Sequence, residues 1–400
     1  MTCNLTVIGL GYVGLPLASE ACRAGLMVLG YDNSSAVVEG LNAGTSHIDD
    51  VTDDDVAGMK VGGFVASGDP ADLANADVFV ICVPTPLSTD GTPDLTAVID
   101  ASKTIATGLR PGCLVVLEST TYPGTTDETV RPLLELGSGL SAGVDFALAY
   151  SPERIDPGNP AFGLCNTPKI VGGLTPACTE RAVEFYKRLV DTVVPTVGLR
   201  EAELAKLLEN TYRHINIALM NEMVVFCHEL DIDLWAAIEA ASTKPFGFEA
   251  FYPGPGVGGH CIPIDPNYLS WVVRSVGFRF RFVELAQEIS ERMPIYIAQR
   301  VQNSLNADRI AVNGSRILLL GVTYKANISD QRESPARPLA AQLLTMGAEV
   351  RYFDPYVDIF LVNDRQLPSV GDLVSAVEWS DLVVLVQAHS EIVGSEALAS

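Results

Sequence analysis

The stretch LTVIGLGYVGLPLASEACRAGLMVLGYD (5–32) decides the fold. LTVIGL (5–10) reads as a buried strand, ASEACRAG (18–25) as helix, and LMVLGYD (26–32) as a second strand. Between the first strand and the helix, Gly9, Gly11 and Gly14 stand in GxGxxG spacing, with Tyr12 and Val13 at the variable positions. In such a turn the glycines allow the sharp bend and the close approach of a pyrophosphate to the helix N-terminus. Asp32 closes the second strand, where a carboxylate binds a ribose 2′-hydroxyl and repels a 2′-phosphate. No basic residue follows it in Asn33-Ser34-Ser35. A glycine-rich turn without a ligand is the plain alternative, but the strand, turn, helix and acid together favour NAD over NADP.

The same texture continues outward. DVFVICVPTP (77–86), CLVVLEST (113–120) and FALAYSPE (146–153) are continuous apolar runs, as a parallel sheet covered on both faces requires. LTAVIDASKTIATGL (95–109) reads as a crossover helix. From Glu201 the pattern changes: EAELAKLLENTYRHINIALMNEMVVFCHELDI (201–232) contains neither Gly nor Pro and is apolar at helical spacing. A helix so long reads as a spine between two lobes and as a dimer face. Lys206, Asn210 and Arg213, at i, i+4 and i+7, place a polar stripe on it. DLWAAIEAAS (233–242) is a further helix, and helical patterns resume from about 267 to 305. A second βαβ unit follows, with strands in 315–325, 348–355 and 381–389 and a helix over 337–347. It lacks GxGxxG, so it should not bind dinucleotide phosphates in the same manner. The expected fold is α/β, two Rossmann-like doubly wound domains joined by a long central helix. The expected domains are 1–200, 201–310 and 311–400.

Composition excludes several classes. The 400 residues carry 26 basic and 49 acidic side chains, a net charge of −23, which argues against nucleic acid as a partner. No apolar run approaches the roughly 18 residues of a membrane helix, and the strand pattern begins without room for a signal peptide. The eight cysteines show no metal-ligand spacing, so reduced, cytoplasmic thiols and no metal are expected. Among them Cys261 stands out in GPGVGGHCIPIDP (254–266), behind five glycines and prolines. Such a loop is a poor place to hide a thiol and lets the backbone approach a ligand. Asp265 follows four residues later, and the adjacent His260 should point away from the sulfur.

These segments, with ESTTYPGTT (118–126), SPERIDPG (151–158) and GVTYKANISDQRES (321–334), resemble the UDP-glucose/GDP-mannose dehydrogenase family over residues 4 to about 390. The resemblance implies oxidation of a nucleotide sugar's C6 alcohol to a carboxylate in two NAD-dependent steps, through a cysteine thiohemiacetal and thioester. It makes Cys261 the nucleophile. Lys206 and Asn210 would stabilise the oxyanion, and Asp265 would pair with Lys206 and hold a water. Glu153 and Thr120 would position water for thioester hydrolysis. It also implies that Thr85, Thr120 and Arg332 contact NAD. Phe251, Tyr252, Gly254, Gly258, Tyr324 and Lys325 would line the sugar-nucleotide site, alongside Glu153, Arg154, Lys206 and Asn210.

Two departures mark this chain. Arg154 follows Glu153 where glucose-oxidising members carry an aromatic; its donors could serve an acetamido carbonyl or a neighbouring carboxylate. Members also continue beyond AHSEI (388–392), so the last domain is expected to be short. The long match over 242–271 favours UDP-N-acetylglucosamine, with UDP-glucose second and other nucleotide hexoses open. A two-electron alcohol dehydrogenase and an inactive NAD or sugar-nucleotide sensor are the competing readings, and a homodimer is the expected assembly.

Overall fold

The computed structural model describes residues 4–395 apart from 89–90, 156–158, 160, 260–261 and 263. Cys261 and its neighbour His260 therefore lie outside the described residues. The chain forms two compact units, residues 1–209 and 210–400, and the division falls inside the 31-residue helix Leu199–Glu229.

The first unit is built on one sheet of eight strands: β1 (Asn4–Ile8), β2 (Met27–Tyr31), β3 (Val65–Ser67), β4 (Val78–Ile81), β5 (Leu114–Leu117), β6 (Ala147–Tyr150), β7 (Lys169–Gly173) and β8 (Val193–Pro195). Their spatial order is β3-β2-β1-β4-β5-β6-β7-β8, so the chain winds outward in both directions from β1 and β4. This is a doubly wound sheet, and its reversal of direction opens a crevice at the carboxyl ends of β1 and β4. Alternate side chains explain the continuous apolar runs. Val7, Val80, Leu114, Val116 and Ala149 enter one core, while Ile8, Ile81, Val115, Leu117 and Leu148 enter another across the sheet. Both faces are covered, so the central strands are largely apolar, with Thr6 of β1 a buried polar exception.

The sheet is not wholly parallel. β7 runs antiparallel to β6, and β8 then follows β7 in parallel after the helix Pro176–Tyr186. β3 and β8 carry only three residues each, and β7 begins with a lysine and ends in two glycines, so none stands out as an apolar run; β8 lies at an edge with two of its three residues exposed.

The second unit contains the remainder of the long helix, the helices Leu234–Ser242, Asp265–Ser275 and Arg281–Ala307, and a small sheet. That sheet comprises β9 (Arg316–Leu320), β10 (Glu349–Phe353) and β13 (Leu382–Leu385), in parallel order β10-β9-β13. A two-stranded ribbon, β11 (Leu361–Val362) with β12 (Arg365–Gln366), lies between β10 and β13 in sequence. β9 divides its side chains as β1 does: Ile317 and Leu319 enter one core and Leu318 and Leu320 the other. Pro294 interrupts the apolar pattern within Arg281–Ala307, which nevertheless continues through it as one helix.

Candidate active site

In the first unit the glycine turn follows β1. Gly9 adopts φ +89°, and a Cβ there would lie 2.9 Å from the Cys82 carbonyl oxygen. A Cβ on Gly14 would come within 1.8 Å of the Gly9 carbonyl oxygen, so the helix can start this close to the turn only with glycine. Gly11 differs: a Cβ there would meet nothing within 4 Å. The middle glycine thus fronts open space, the approach a pyrophosphate needs. Asp32, just past β2, accepts the Leu10 N–H on Oδ2 and the Ser34 N–H on Oδ1, each at 2.9 Å. These two bonds fix the carboxylate beside the turn while each oxygen retains capacity to accept a ribose hydroxyl. The residues fit a dinucleotide.

Across the carboxyl ends of β4 and β5, the Thr85 hydroxyl donates to the Thr120 carbonyl at 2.8 Å. The long helix adds Lys206, whose ammonium donates to the main-chain carbonyl of Glu153 at 2.5 Å. The Glu153 carboxylate is folded back on its own turn, Oε1 accepting the N–H groups of Arg154 and Ile155 at 2.6 Å. Arg154 is already engaged: it forks onto Glu209, at 2.7 and 3.2 Å, and gives a third bond to the Pro168 carbonyl. Of the two partners open to Arg154, the neighbouring carboxylate is the one this structure supplies.

Glu203 was not singled out by the sequence. It lies one turn before Lys206, fully buried, and accepts from the Gly124 N–H (2.7 Å), the Thr126 N–H (2.9 Å) and the Thr126 hydroxyl (2.7 Å). These donors open the π-helical turn Thr126–Val130 and the helix beyond it. Burial pushes the Glu203 carboxyl up to about 7 despite them. The residue pins the segment after Thr120 to the helix that bears Lys206. Its place one turn before Lys206, in line with the polar stripe through Asn210, was the available signal.

In the second unit, Asn210 donates to Asp265 Oδ2 at 2.5 Å, and both residues are buried. The loop before Cys261 packs closely on the segment after β9. A Cβ on Gly258 would lie 2.6 Å from the Tyr324 Cβ, and Gly259, at φ +86°, donates its N–H to the Arg332 carbonyl at 3.1 Å. The Gly254 N–H is taken by Asn221 Oδ1 at 2.8 Å. Phe251 packs into a core with Met220 and Met293 and meets the Tyr212 ring edge-on at 5.7 Å, whereas Tyr252 is exposed. Arg332 pairs with Asp330 at 2.6 Å, and the Lys325 carbonyl accepts from Thr323.

Three family models together span nearly the whole chain. The NAD binding domain of the UDP-glucose/GDP-mannose dehydrogenase family matches residues 3–190, its central domain 200–292, and its UDP binding domain 318–398. The chain belongs to this family of nucleotide-sugar oxidoreductases, and its cofactor is NAD. It is 35 % identical to the UDP-N-acetyl-D-glucosamine 6-dehydrogenase of Pseudomonas aeruginosa, over 97 % of this chain and 91 % of that one. It is 36 % identical to the UDP-N-acetyl-D-mannosamine dehydrogenase of Pyrococcus horikoshii, over 97 % and 90 % respectively. The solved structure of the UDP-D-ManNAc dehydrogenase of P. horikoshii superposes with a TM-score of 0.90, covering 98 % of this chain and 91 % of that chain. Among the described residues, no helix is long and apolar enough to cross a membrane.

Proposed function

We propose that the chain oxidises the C6 hydroxyl of a UDP-N-acetylhexosamine, with UDP-N-acetylglucosamine favoured, to the uronic acid through covalent attachment to Cys261. The observation that carries this reading is the seating of the GPGVGG loop. Gly258 and Gly259 lie against Tyr324 and Arg332 of the segment matched by the UDP binding domain, so the chain leading into Cys261 is fastened to the sugar-nucleotide half. The names of the relatives support the N-acetylated sugar; Arg154, committed to Glu209, adds nothing to it.

NAD, when bound, would supply the hydride acceptor, one molecule for each of the two oxidations. The Cys261 thiolate adds to the C6 aldehyde carbon, and the resulting thiohemiacetal is the species that the second oxidation converts to a thioester. Lys206, its ammonium already fixed by the Glu153 carbonyl, offers its remaining donors to the oxyanion. Asn210 donates likewise, oriented by Asp265. Thr120 and Glu153 position the water that releases the acid. Thr85, Asp32 and Arg332 serve the cofactor; Tyr252, Tyr324 and Lys325 serve the sugar nucleotide. The assembly is a homodimer formed through the long helix, which exposes Tyr212, Leu219, Val225 and Phe226.

The deciding experiment counts NADH per sugar for UDP-N-acetylglucosamine, UDP-N-acetylmannosamine, UDP-glucose and GDP- and dTDP-hexoses. Two NADH and an acid from a UDP-N-acetylhexosamine are expected. One NADH with free aldehyde means a two-electron alcohol dehydrogenase. No turnover of any of them overturns the proposal, and faster turnover of UDP-glucose overturns its substrate.

A further inference from the structure

The first unit contains a buried chain of charges in which Lys169 and Tyr186 lie outside every family motif quoted above. Lys169, the first residue of β7, is 5 % exposed, with its ammonium 2.9 Å from Glu118 Oε2 and 3.6 Å from Glu153 Oε2. Glu118, just past β5, is buried, and its other oxygen accepts the Tyr186 hydroxyl. The ammonium also lies 5.3 Å above the Tyr186 ring. Burying these charges costs desolvation that their attraction barely offsets, and an apolar pair of the same volume would serve the core as well. A use for the charge lies at Glu153, the part of the chain that is only half-buried. Glu153 is held from both sides, Oε1 by two N–H groups and Oε2 by the lysine, while its carbonyl takes Lys206.

We infer that Lys169, clamped on Glu118, is a positioning residue for Glu153, fixing the carboxylate's orientation for the step in which water releases the acid. The inference rests on the covalent reading above. In that step the water oxygen bonds to the acyl carbon and the C–S bond breaks with its electron pair on sulfur. One water proton ends on the sulfur, and the other leaves to solvent as the acid ionises. No oxidant is needed. Glu153 contributes by accepting the water's hydrogen bond, which requires it to be anionic and oriented. Burial by itself would discharge Lys169, but the two carboxylates outweigh burial and raise its pKa, so the cation persists.

The test measures formation and release of the acyl-protein separately. Lys169→Met leaves Glu118 buried without a cation, so Lys169→Met/Glu118→Gln, which still accepts from Tyr186, is measured beside it. Rapid mixing with NAD and substrate should give a burst of about two NADH per site at the wild-type rate. Steady turnover should then be roughly tenfold slower or worse, the least expected of a misplaced base. Acid-quenched protein should carry the added mass of the acyl group, and Lys169→Arg should restore much of the steady rate. An equal loss in burst and steady rate, or no loss, overturns the inference. Glu153→Gln separates the two layers: if it accumulates acyl-protein and the Lys169 variants do not, Lys169 has no such role although the mechanism stands. If Glu153→Gln accumulates none, the hydrolytic reading itself fails, and Lys169 with it.

Discussion

Glu203 makes the pH dependence of this protein's stability calculable. Its carboxyl is displaced from 4.5 in the unfolded chain to about 7 in the folded one, burial being the dominant cause. A carboxyl whose folded pKa is raised contributes stability that is complete below 4.5 and is lost as pH rises through about 7, because the native state holds the proton longer. At 1.36 kcal/mol per pH unit the whole effect is about 3 kcal/mol, and about 2 kcal/mol of it falls between pH 5.5 and 8. Glu203→Gln cannot ionise. It keeps one acceptor for the three donors of Gly124 and Thr126 and presents an amide to the others, so it should be less stable than wild type at pH 5.5. The gap should narrow as pH rises. For a unit of about 200 residues, 2 kcal/mol corresponds to roughly 4–8 °C in Tm. Calorimetry of both proteins at constant ionic strength, above the pI near 4.5, measures this difference directly. A gap that stays constant or widens toward pH 8 would refute the burial argument.

Four other expectations follow from the site. NAD should be used at least about a hundredfold more efficiently than NADP, since Asp32 is fastened beside the turn by Leu10 and Ser34; comparable steady-state efficiencies would remove Asp32 from that role. Gly258→Ala must push Tyr324 or the Glu333 carbonyl aside, so kcat should fall at least about tenfold with NAD affinity unchanged, read by kinetics and NAD titration. Cys261→Ala should make no acid yet bind the sugar nucleotide within about tenfold of wild type, or roughly 1.4 kcal/mol, whereas Cys261→Ser should accumulate an ester visible by mass. Arg154→Met should lower Tm by freeing Glu209 and the Pro168 carbonyl while leaving the ratio of N-acetylhexosamine to glucose turnover unchanged; a changed ratio would return Arg154 to the sugar.

What could be read from the sequence follows from how locally each feature is encoded. The runs containing β1, β2, β4, β5 and β6 are apolar throughout because each strand feeds two cores, so neighbouring residues alone reveal them. The long helix was legible over 201–232 and forms over Leu199–Glu229, its ends shifting where Asp231 takes φ +56°. β7 and β8 were missed because Lys169, Gly172 and Gly173 in the one and Pro195 in the other break the apolar run, and the reversal of β7 against β6 depends on a partner far along the chain. The charged cluster was hidden for the same reason. Glu118, Lys169 and Tyr186 are separated by 51 and 17 positions, and although Glu118 ends an apolar run, nothing local links it to the other two. Arg154 shows the limit from another side: the sequence named its two possible partners, and only the fold brings Glu209, on another element, to meet it.

The second βαβ unit shows why the absence of GxGxxG could be read as a difference in function rather than in fold. The Gly9 N–H donates to Tyr31 and the Leu10 N–H to Asp32 in the first unit; in the second, Gly321 donates to Phe353 and Val322 to Asp354. The backbone device at the first turn is the same, down to the acid after the second strand. The two turns part at the next step. Gly11 fronts open space, whereas beyond Val322 come the buried side chains of Thr323 and His389. His389 is fully buried there. Its Nδ1 accepts the Asn327 N–H, which leaves the proton on Nε2, directed at Asp354 Oδ2 (3.1 Å) and Thr323 Oγ1 (3.2 Å). Asp354 therefore spends its carboxylate inside the protein on the Val322 and Tyr356 N–H groups and on a histidine, where Asp32 spends only two N–H bonds and keeps capacity for a ligand. One turn is left open by glycine and the other is closed by a threonine and a histidine, and those few residues divide the dinucleotide-binding copy from the copy that the family uses for UDP.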